Sequence, residues 1–424
     1  MNNEFDDDRK IPKTMSTQHP DNACTPEWCT SGRIDGDLEI YEAYFAYHTL
    51  GCHEVMWDSD GKDVDTRVMR KLLSQFGSYF KEHLIGKDIF LTYRIPNPRI
   101  QTFERKIVVE TLQNIPVAFD VASTFYKSEV TPIFEVILPM TTSGRELILL
   151  SNYYQKAIVA AENIELNDSL KVKDWVGSFK PKKIKVIPLV EDFDSILNID
   201  KIVESYLDFV KPKYLRVFIA RSDPALNYGL FCAVLLSKLA FSKLKTVEIE
   251  REVSIHPILG VGSMPFRGHL SADNSEAFLQ ENKGLSTVTI QSALRYDCPL
   301  KQVKQLVNFF NERLPNGELT QIEPHEEIIL CTILKKARLH YERIVEDFAP
   351  LVNNIAPFIP TRRARRLHIG LFGYSRRVKG VTLPRAIPFA AVLYILSPFR
   401  SSRGAHIPHL QKLTCRDHVF LPTL

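Results

Sequence analysis

The sequence lacks any apolar run long enough to cross a membrane. Its longest apolar stretches, at residues 230–236 and 387–396, are well short of the roughly 20 residues that a membrane helix needs. The N-terminal segment up to Met15 is polar and acidic, and it contains no apolar segment of the kind that a secretory signal has. We therefore expect a cytoplasmic protein without a membrane partner.

Neither sign of charge dominates the sequence. Lys and Arg number 54 against 50 Asp and Glu, which gives a formal net charge of +4. A balance this even does not require nucleic acid as a partner. The basic run at residues 361–366 has no interleaved aromatic residues, and we interpret it as a solvated helix face or an anion-binding element. We expect no nucleic-acid partner.

The cysteines also lack a regular arrangement. There are seven, an odd number, and their scattered positions suit a reducing compartment better than a disulfide framework. Cys24 and Cys29 lie near His19, but no second pair with zinc spacing accompanies them. A Walker loop, an H-E-x-x-H helix and the sequence context of a biotinylated lysine are missing too. These absences argue against a P-loop nucleotide site, a zinc-protease helix and a biotin cofactor.

What the chain does contain is an alternation of short apolar runs and longer amphipathic stretches. The strand candidates are residues 52–57, 88–93, 133–138, 184–190, 215–220, 247–255 and 287–291. Such alternation indicates a mainly parallel sheet with helices outside it. Seven strands, with an eighth unassigned, favour an α/β fold of the (β/α)₈ TIM-barrel type over an open sheet.

From about residue 299 the pattern changes to long helices, at residues 300–314 and 324–352. We therefore predict that residues 1–396 form one barrel-based catalytic domain that is elaborated by additional, mainly C-terminal, helices. Residues 397–424 are rich in Ser, Arg, His and Pro and have no clear periodicity. We expect them to form an aberrant or truncated tail.

The most unusual stretch is residues 254–270, which follows a predicted strand and contains His256, Gly260, Gly262 and Arg267. Glycines allow backbone N–H groups to approach an oxyanion, and arginine offers a planar fork of donors. Histidine can transfer a proton near neutral pH. We predict an anion-binding loop, and the plain alternative is a glycine-rich surface turn.

Charged residues follow several other predicted strands. Glu191 and Asp223 come after consecutive strands and could together bind one Mg²⁺ or Mn²⁺ ion, although each could also serve as a helix cap or a salt-bridge partner. The arginines that follow different strands could converge on one anionic substrate, or form surface ion pairs instead. They are Arg94, Arg221, Arg267 and Arg295.

Many of these residues lie in longer motifs. These are S-T-Q-H-P-D-N at residues 16–22, E-V-M-W-D at 54–58, G-K-D-V-D at 61–65, T-Y-R-I-P-N-P at 92–98, F-E-V-I-L-P-M-T-T at 134–142, A-R-S-D-P at 220–224, P-F-R-G at 265–268, T-I-Q-S at 289–292 and G-Y-S at 373–375. In this order, the motifs resemble those of archaeal-type phosphoenolpyruvate carboxylase over nearly all of residues 15–396.

The resemblance implies a biotin-independent, Mg²⁺- or Mn²⁺-dependent enzyme on a helix-rich barrel that is typically a homotetramer. Its substrates would be phosphoenolpyruvate and bicarbonate, which give oxaloacetate and phosphate through carboxyphosphate and an enolate. Glu191 and Asp223 correspond to the metal-binding carboxylates of the superfamily. His256 corresponds to the histidine after the next strand that takes a proton from carboxyphosphate, His19 to the other essential histidine, and Arg267 to a substrate-stabilising arginine.

One departure from the larger bacterial and plant enzymes concerns Ile258, which stands where those enzymes have a second arginine. Arg94 or Arg295 is our candidate for its task. Two alternative functions stay open at this point. One is another phosphoenolpyruvate- or 2-oxoacid-handling barrel enzyme, a mutase or a lyase. The other is a truncated, catalytically silent protein that binds phosphoenolpyruvate or assembles with intact subunits.

Overall fold

The computed structural model describes residues 9–18, 22–100, 102, 105–359, 376–378, 381–384 and 386–396. Three features predicted from the sequence lie outside the described residues. They are His19, the basic run at residues 361–366 and the tail at residues 397–424.

Eight parallel strands close into a barrel, which confirms the predicted fold class. Around the barrel the order is β1, β2, β3, β4, β7, β8, β9 and β10, and β10 pairs with β1. The barrel strands are β1 (Thr14–Thr17), β2 (Glu54–Asp58), β3 (Phe90–Arg94), β4 (Glu135–Leu138), β7 (Lys185–Val190), β8 (Tyr214–Ala220), β9 (Ser254–Gly260) and β10 (Thr287–Ile290). Two antiparallel pairs lie outside the barrel: β5 (Glu165–Asn167) with β6 (Leu170–Lys171), and β11 (Arg376–Val378) with β12 (Val381–Leu383).

Helices cover the outside of the barrel. They are α1 (Asp37–Tyr44), α2 (Val68–Gln75), α3 (Gly77–Glu82), α4 (Ile107–Tyr126), α5 (Gly144–Tyr153), α6 (Val172–Val176), α7 (Phe193–Leu197), α8 (Ile199–Val210), α9 (Ser222–Tyr228), α10 (Leu230–Arg251), α11 (Ser275–Glu281), α12 (Ser292–Asp297), α13 (Leu300–Arg313), α14 (Pro324–Ile355) and α15 (Ala386–Leu396). In the part of the chain that the structure describes, none of them is both long and apolar enough to span a bilayer. Among the described cysteines, five are free thiols and Cys298 is disulfide-bonded.

The prediction of a strand at residues 247–255 is wrong for most of that segment. Residues up to Arg251 belong to α10, and β9 begins only at Ser254. Val247, Ile249 and the apolar residues that follow alternate with polar ones, which mimics a strand. Leu244 and Val247 are nevertheless buried as a continuation of the helical repeat, whereas Ile249 is 55% exposed.

The eighth strand, which the sequence left unassigned, is β1. Its four residues, T-M-S-T, are mostly polar, and they are all buried because they pair with strands on both sides. Met15 points into the lumen of the barrel and belongs to the apolar cluster there. A strand this short and polar has no apolar pattern that could distinguish it from a loop.

The lumen of the barrel is filled by layers of side chains rather than by a channel. Its apolar layer consists of Met15, Met56, Ile137, Ile187, Leu189, Phe218, Ala220 and Ile258. The neighbouring residues of each strand face the helices and form the larger outer core, which includes Val55, Val217 and Leu259. The alternation follows from the two-residue period of a strand.

Below the apolar layer, toward the N-terminal ends of the strands, lies an ionic layer formed by Glu54, Thr92, Glu135, Arg216 and Thr287. Arg216 donates to Glu54 Oε1 at 2.9 Å and Oε2 at 2.6 Å, and to Glu135 Oε2 at 3.2 Å. Thr92 also donates to Glu54. Arg216 is 1% exposed and Glu54 is fully buried, so water contributes little to the compensation of their charges.

Arg216→Met is expected to destabilise the protein by about 3–5 kcal/mol, because it leaves the carboxylates of Glu54 and Glu135 buried without their cation. Denaturant unfolding followed by circular dichroism measures the loss. The matched control is Arg251→Met on α10, whose guanidinium pairs with Glu204 and Asp208 at the surface. It should cost no more than about 1 kcal/mol. Equal losses in the two variants would contradict a structural role for the ionic layer.

Candidate active site

The C-terminal ends of the eight barrel strands meet at one face, which we refer to as the barrel mouth. Parallel strands in a closed barrel bring the residues at and just after their C-terminal ends together. Charged side chains collect there. They are Asp58 at the end of β2, Asp60 and Lys62 just beyond it, Arg94 at the end of β3, Glu191 after β7, Asp223 after β8 and Arg267 after β9.

Glu191 is a strongly perturbed carboxyl group of the mouth. Burial raises the pKa of Glu191 to about 8, and the neighbouring carboxylate of Asp223 acts in the same direction. Arg94 and the backbone N–H of Met140, which donates to Glu191 Oε2 at 2.8 Å, oppose the shift. Met140 has φ 50°, a left-handed conformation that is uncommon for a residue other than glycine. This turn directs its N–H toward Glu191.

Asp223 lies in the first turn of α9 and forms an ion pair with Arg267. Arg267 ends a short 3₁₀ turn, Pro265–Arg267, in the loop after β9, and it is 5% exposed. Hydrogen bonds within the loop hold this turn: Arg267 N–H donates to Met264 O at 2.8 Å, and Gly262 N–H donates to Arg267 O at 2.6 Å. The loop therefore holds a buried arginine against the acidic pair.

Arg94 lies on the opposite side of Glu191 and is held by two carboxylates. Its Nε donates to Asp58 Oδ1 at 2.7 Å, and its Nη2 donates to Asp60 Oδ2 at 3.2 Å. Asp58 and Arg94 are register partners at the ends of β2 and β3. Lys62 donates to the other oxygen of the Asp58 carboxylate. All four side chains are nearly buried.

Two of the predicted substrate arginines have other partners. Arg221 donates to Glu281 Oε1 at 2.7 Å, and its guanidinium lies 5.5 Å from the ring centroid of Phe278 on α11. Arg295 donates to the carbonyl oxygen of Thr17 and pairs with Glu42 at 3.2 Å. Both arginines also keep N–H groups that are buried without a hydrogen-bond partner, namely Arg221 Nε, Arg295 Nε and Arg295 Nη1. The convergence of four arginines on one anion stays a prediction.

Gly260 and Gly262 permit close packing of the chain. A Cβ atom at Gly260 would lie 2.8 Å from the ring of Phe218, and one at Gly262 would lie 2.8 Å from Gln291 Oε1. The N–H of Gly262 is already bonded to the carbonyl of Arg267. Gly262 thus allows the loop to fold tightly on itself, and the assignment of Gly260 and Gly262 to substrate binding stays a prediction.

His256 does not lie at the barrel mouth. It is the third residue of β9 and pairs in register with Arg216, in the N-terminal half of the barrel. Gly260 ends the strand four residues later, which is about 13 Å along the chain. The imidazole Nδ1 lies 3.3 Å from Ser286 Oγ. Burial lowers the pKa of His256 to about 4, and Arg216 and Lys185 act in the same direction, so the ring is neutral and weakly basic at pH 7.

Ile258 lies in the apolar layer of the lumen, two residues beyond His256 on the same face of β9. An arginine at this position would place a charge among apolar side chains. The position is therefore not part of the loop that carries Arg267. Of the two arginines proposed to take over the missing one's task, Arg94 lies beside Glu191 and Arg295 lies at the end of β1, where it donates to the carbonyl oxygen of Thr17.

The sequence interpretation missed Asp58, Asp60 and Lys62 as site residues. Asp58 and Lys62 lie in two of the motifs that carry the family resemblance and Asp60 lies between these motifs, but no role was assigned to the three residues. Their position at or just after the C-terminal end of a strand could have identified them, by the same rule that identified Glu191. Gln18, at the end of β1, adds a further contact, because its Oε1 accepts the N–H of Asp58 at 2.9 Å.

The acidic pair fits a hard divalent cation. The carboxylate of Asp223 raises the pKa of Glu191 at the neighbouring strand end, and a cation between the two would relieve that repulsion. Within the described residues there is no cluster of three or more acidic, histidine or cysteine ligands. Water and substrate oxygens would have to complete the coordination of an ion held by Glu191 and Asp223, as is common for Mg²⁺.

Comparison with known proteins identifies the relatives of the chain. A family model described as phosphoenolpyruvate carboxylase matches residues 11–397. Phosphoenolpyruvate carboxylase from Metallosphaera sedula is 50% identical over 386 residues, which are 91% of this chain and 76% of that protein. The enzyme from Picrophilus torridus is 50% identical over 385 residues, 91% of this chain and 75% of its own length. Among solved structures, a Haloferax volcanii malate synthase complex with magnesium and glyoxylate aligns with a TM-score of 0.44 at 10% identity, over 84% of this chain and 96% of the other.

The raised pKa of Glu191 predicts a pH-dependent stability in the metal-free protein. The folded state retains the proton of Glu191 up to about pH 8, whereas the unfolded state releases it near the ordinary pKa of 4.5. The stabilisation of the folded state by this proton is therefore fully present below about pH 4.5 and is lost as the pH rises through about 8. The free energy of unfolding of the wild type should therefore fall relative to that of Glu191→Gln between about pH 5 and pH 8. Denaturant titrations across this range measure the difference, and a difference that does not change with pH would contradict the assignment.

Proposed function

The chain belongs to the phosphoenolpyruvate carboxylase family, and we propose that its barrel mouth converts phosphoenolpyruvate and bicarbonate to oxaloacetate and inorganic phosphate. Membership rests on the family model and on relatives that are half identical over nine-tenths of the chain. The assignment of roles to individual residues is our inference from the geometry of the mouth.

The observation that carries this proposal is the acidic pair Glu191 and Asp223 with one arginine on either side. Phosphoenolpyruvate has a planar carboxylate and a tetrahedral phosphate, and arginine can bind a pair of oxygens of either group through two parallel hydrogen bonds. Arg94 and Arg267 are nearly buried, so water weakens their attraction for an anion only slightly. The mouth thus offers two cationic contacts for a substrate that has two anionic ends.

Buried donors at the end of β1 add to these contacts. Among the described residues, Thr17 Oγ1 and Gln18 Nε2 are buried without a hydrogen-bond partner. Buried polar atoms in a folded protein are normally bonded, so unpartnered ones beside a cleft are candidates for ligand contacts. We assign Gln18 Nε2 and Thr17 Oγ1 to substrate oxygens on this side of the mouth.

The reaction requires negative charge to be stabilised at two stages. A bicarbonate oxygen attacks the phosphorus, the bond from phosphorus to the enol oxygen breaks, and carboxyphosphate and the enolate of pyruvate result. Carboxyphosphate then releases CO₂, which the enolate carbon attacks to form oxaloacetate. Arg94 and Arg267 are placed to stabilise the developing charge, and positioned cations in a poorly hydrated site are effective in this role. Excluding water also prevents protonation of the enolate.

Glu191 and Asp223 would hold the Mg²⁺ or Mn²⁺ ion that the family resemblance implies. When bound, such an ion polarises phosphoryl and enolate oxygens as a Lewis acid. The ion pair between Arg267 and Asp223 connects the loop after β9 to this pair of carboxylates. Arg267 therefore orients one proposed ligand while its guanidinium faces the mouth.

The remaining assignments from the resemblance stay predictions. His19 is proposed for proton transfer and lies outside the described residues. Bicarbonate as the carbon source, independence of biotin, assembly as a homotetramer and a cytoplasmic location also remain proposals. Insensitivity of turnover to avidin would test the absence of biotin directly.

Turnover of the wild-type chain tests the function. With phosphoenolpyruvate, Mg²⁺ and bicarbonate, we expect oxaloacetate to form, as measured by coupling to malate dehydrogenase and NADH. Without added bicarbonate, in CO₂-depleted buffer, the rate should fall to background. Phosphate release without oxaloacetate would contradict carboxylation and would instead favour a different reaction of the same substrate.

Arg267→Met and His256→Asn should differ in their effect on kcat. Removing the guanidinium at the mouth should lower kcat by about 10²–10³, the typical cost of deleting one charge-stabilising donor. Replacing the histidine inside the lumen should leave kcat within about tenfold of the wild type, because no substrate oxygen reaches the N-terminal half of a filled barrel. The coupled assay measures both variants. A loss in His256→Asn as large as that in Arg267→Met would restore the catalytic role first assigned to His256.

A further inference from the structure

Lys62 is a buried lysine at the barrel mouth whose position the proposed reaction has not yet explained. It follows the end of β2 by four residues, and its side chain is 3% exposed. Its ammonium group donates to Asp58 and lies 3.4 Å from the carbonyl oxygen of Asp60. Burial lowers the pKa of Lys62, Asp58 and Asp60 raise it, and Arg94 lowers it further. A lysine is rarely buried to this degree without a specific partner.

The partner of Lys62 is also the partner of Arg94. Asp58 accepts the Nε–H of Arg94 on one carboxylate oxygen and the ammonium of Lys62 on the other. Asp60 accepts a second hydrogen bond from Arg94. The group therefore contains two carboxylates and two cations and is formally neutral. Without Lys62 these side chains would carry one more negative than positive charge.

The charge of this group affects the affinity of the mouth for an anion. An arginine whose charge is fully offset by two carboxylates attracts a phosphate weakly, because in a poorly hydrated site the substrate is repelled by both carboxylates as well. Glu191 and Asp223 add further negative charge nearby, and Asp60 already acts on Glu191 in this way. A compensating cation beside Asp58 is thus needed for Arg94 to act on an anionic substrate.

We propose that Lys62 is a positioning residue for the carboxylation reaction, which neutralises Asp58 so that Arg94 is held in place while its charge stays available to phosphoenolpyruvate. The inference rests on the proposed function, because it takes Arg94 as a substrate contact. It assigns to the G-K-D-V-D motif at residues 61–65 a role in substrate affinity that acts through a neighbour.

Lys62 acts through Asp58 rather than by touching substrate. The residues around its other side include Trp57 and Tyr93, whose side chains face the helices and belong to the outer core. Asp58, in contrast, is on the face of β2 that points into the lumen, like Met56. Lys62 therefore approaches the carboxylate of Asp58 from the side that is away from the lumen.

Three variants test the proposal. Lys62→Met removes the cation and gives the group a formal charge of −1. Lys62→Met combined with Asp58→Asn removes both partners and returns the group to its formal charge of zero, while the Asn oxygen can still accept from Arg94 Nε. Lys62→Arg preserves the charge at Asp58. The measurements are KM for phosphoenolpyruvate, kcat, and the thermal stabilisation that phosphoenolpyruvate produces with Mg²⁺ in the absence of bicarbonate.

Lys62→Met should raise KM for phosphoenolpyruvate by about tenfold or more, which corresponds to the loss of one hydrogen bond to a charged group. The change in kcat should be smaller. The same variant should weaken phosphoenolpyruvate-dependent stabilisation in parallel. The double variant should recover most of the lost affinity, and Lys62→Arg should stay within about threefold of the wild type if its bulkier head group is accommodated. The ligand-free melting temperature separates affinity from folding.

Two results would overturn the inference. One is a Lys62→Met variant with a lower melting temperature but an unchanged KM, which would leave only a structural ion pair. The other is a double variant whose affinity is no better than that of Lys62→Met, which would indicate direct contact between Lys62 and substrate. If Lys62→Met does not fold, the double variant is compared with the wild type: a KM for phosphoenolpyruvate within about threefold supports the inference, and a KM raised by about tenfold or more overturns it. Failure of the proposed function would appear separately, as a wild-type chain that forms no oxaloacetate.

Discussion

Compensation of buried charge is the constraint on which both ends of this barrel depend. A charge inside a filled barrel loses its water and must find a partner among the residues of neighbouring strands. In the N-terminal half, Arg216 bridges Glu54 and Glu135 from strands that are not adjacent to its own. At the mouth the same requirement joins Lys62 and Arg94 to Asp58. The difference between the two ends is that the mouth also holds the acidic pair Glu191 and Asp223, whose repulsion is only partly offset.

The sequence predicted the barrel because most of its strands are rich in apolar residues. Strands such as β7 and β8 are uniformly buried and mainly apolar apart from Lys185 and Arg216, which is typical of parallel sheets covered by helices. The polar strand β1 gave no such signal. The end of α10 gave a false one, because the alternation around Ile249 resembles a strand although the helix continues. A short sequence pattern therefore does not identify a strand whose buried residues are polar, as in β1. It also gives a false strand where a helix ends close to the next strand, as at the end of α10.

The site was predicted in part, through the rule that chemistry gathers after the C-terminal ends of barrel strands. That rule placed Glu191, Asp223, Arg94 and Arg267 correctly at the mouth. It could not tell which way a side chain turns once it leaves the strand, and so it did not foresee that Arg221 pairs with Glu281. For His256 the error came from the strand boundary. Beginning β9 at Ser254 moves the histidine from a loop to the opposite half of the barrel.

The filled lumen closes the barrel beneath its mouth, so the proposed active site opens on one side only. Apolar side chains and the ionic layer beneath them close the barrel from below, so the strand ends provide the route for molecules in both directions. In the proposed reaction, phosphate and oxaloacetate would depart through the opening by which phosphoenolpyruvate and bicarbonate arrive. Because one opening would serve substrates and products alike, product release would be coupled to substrate binding.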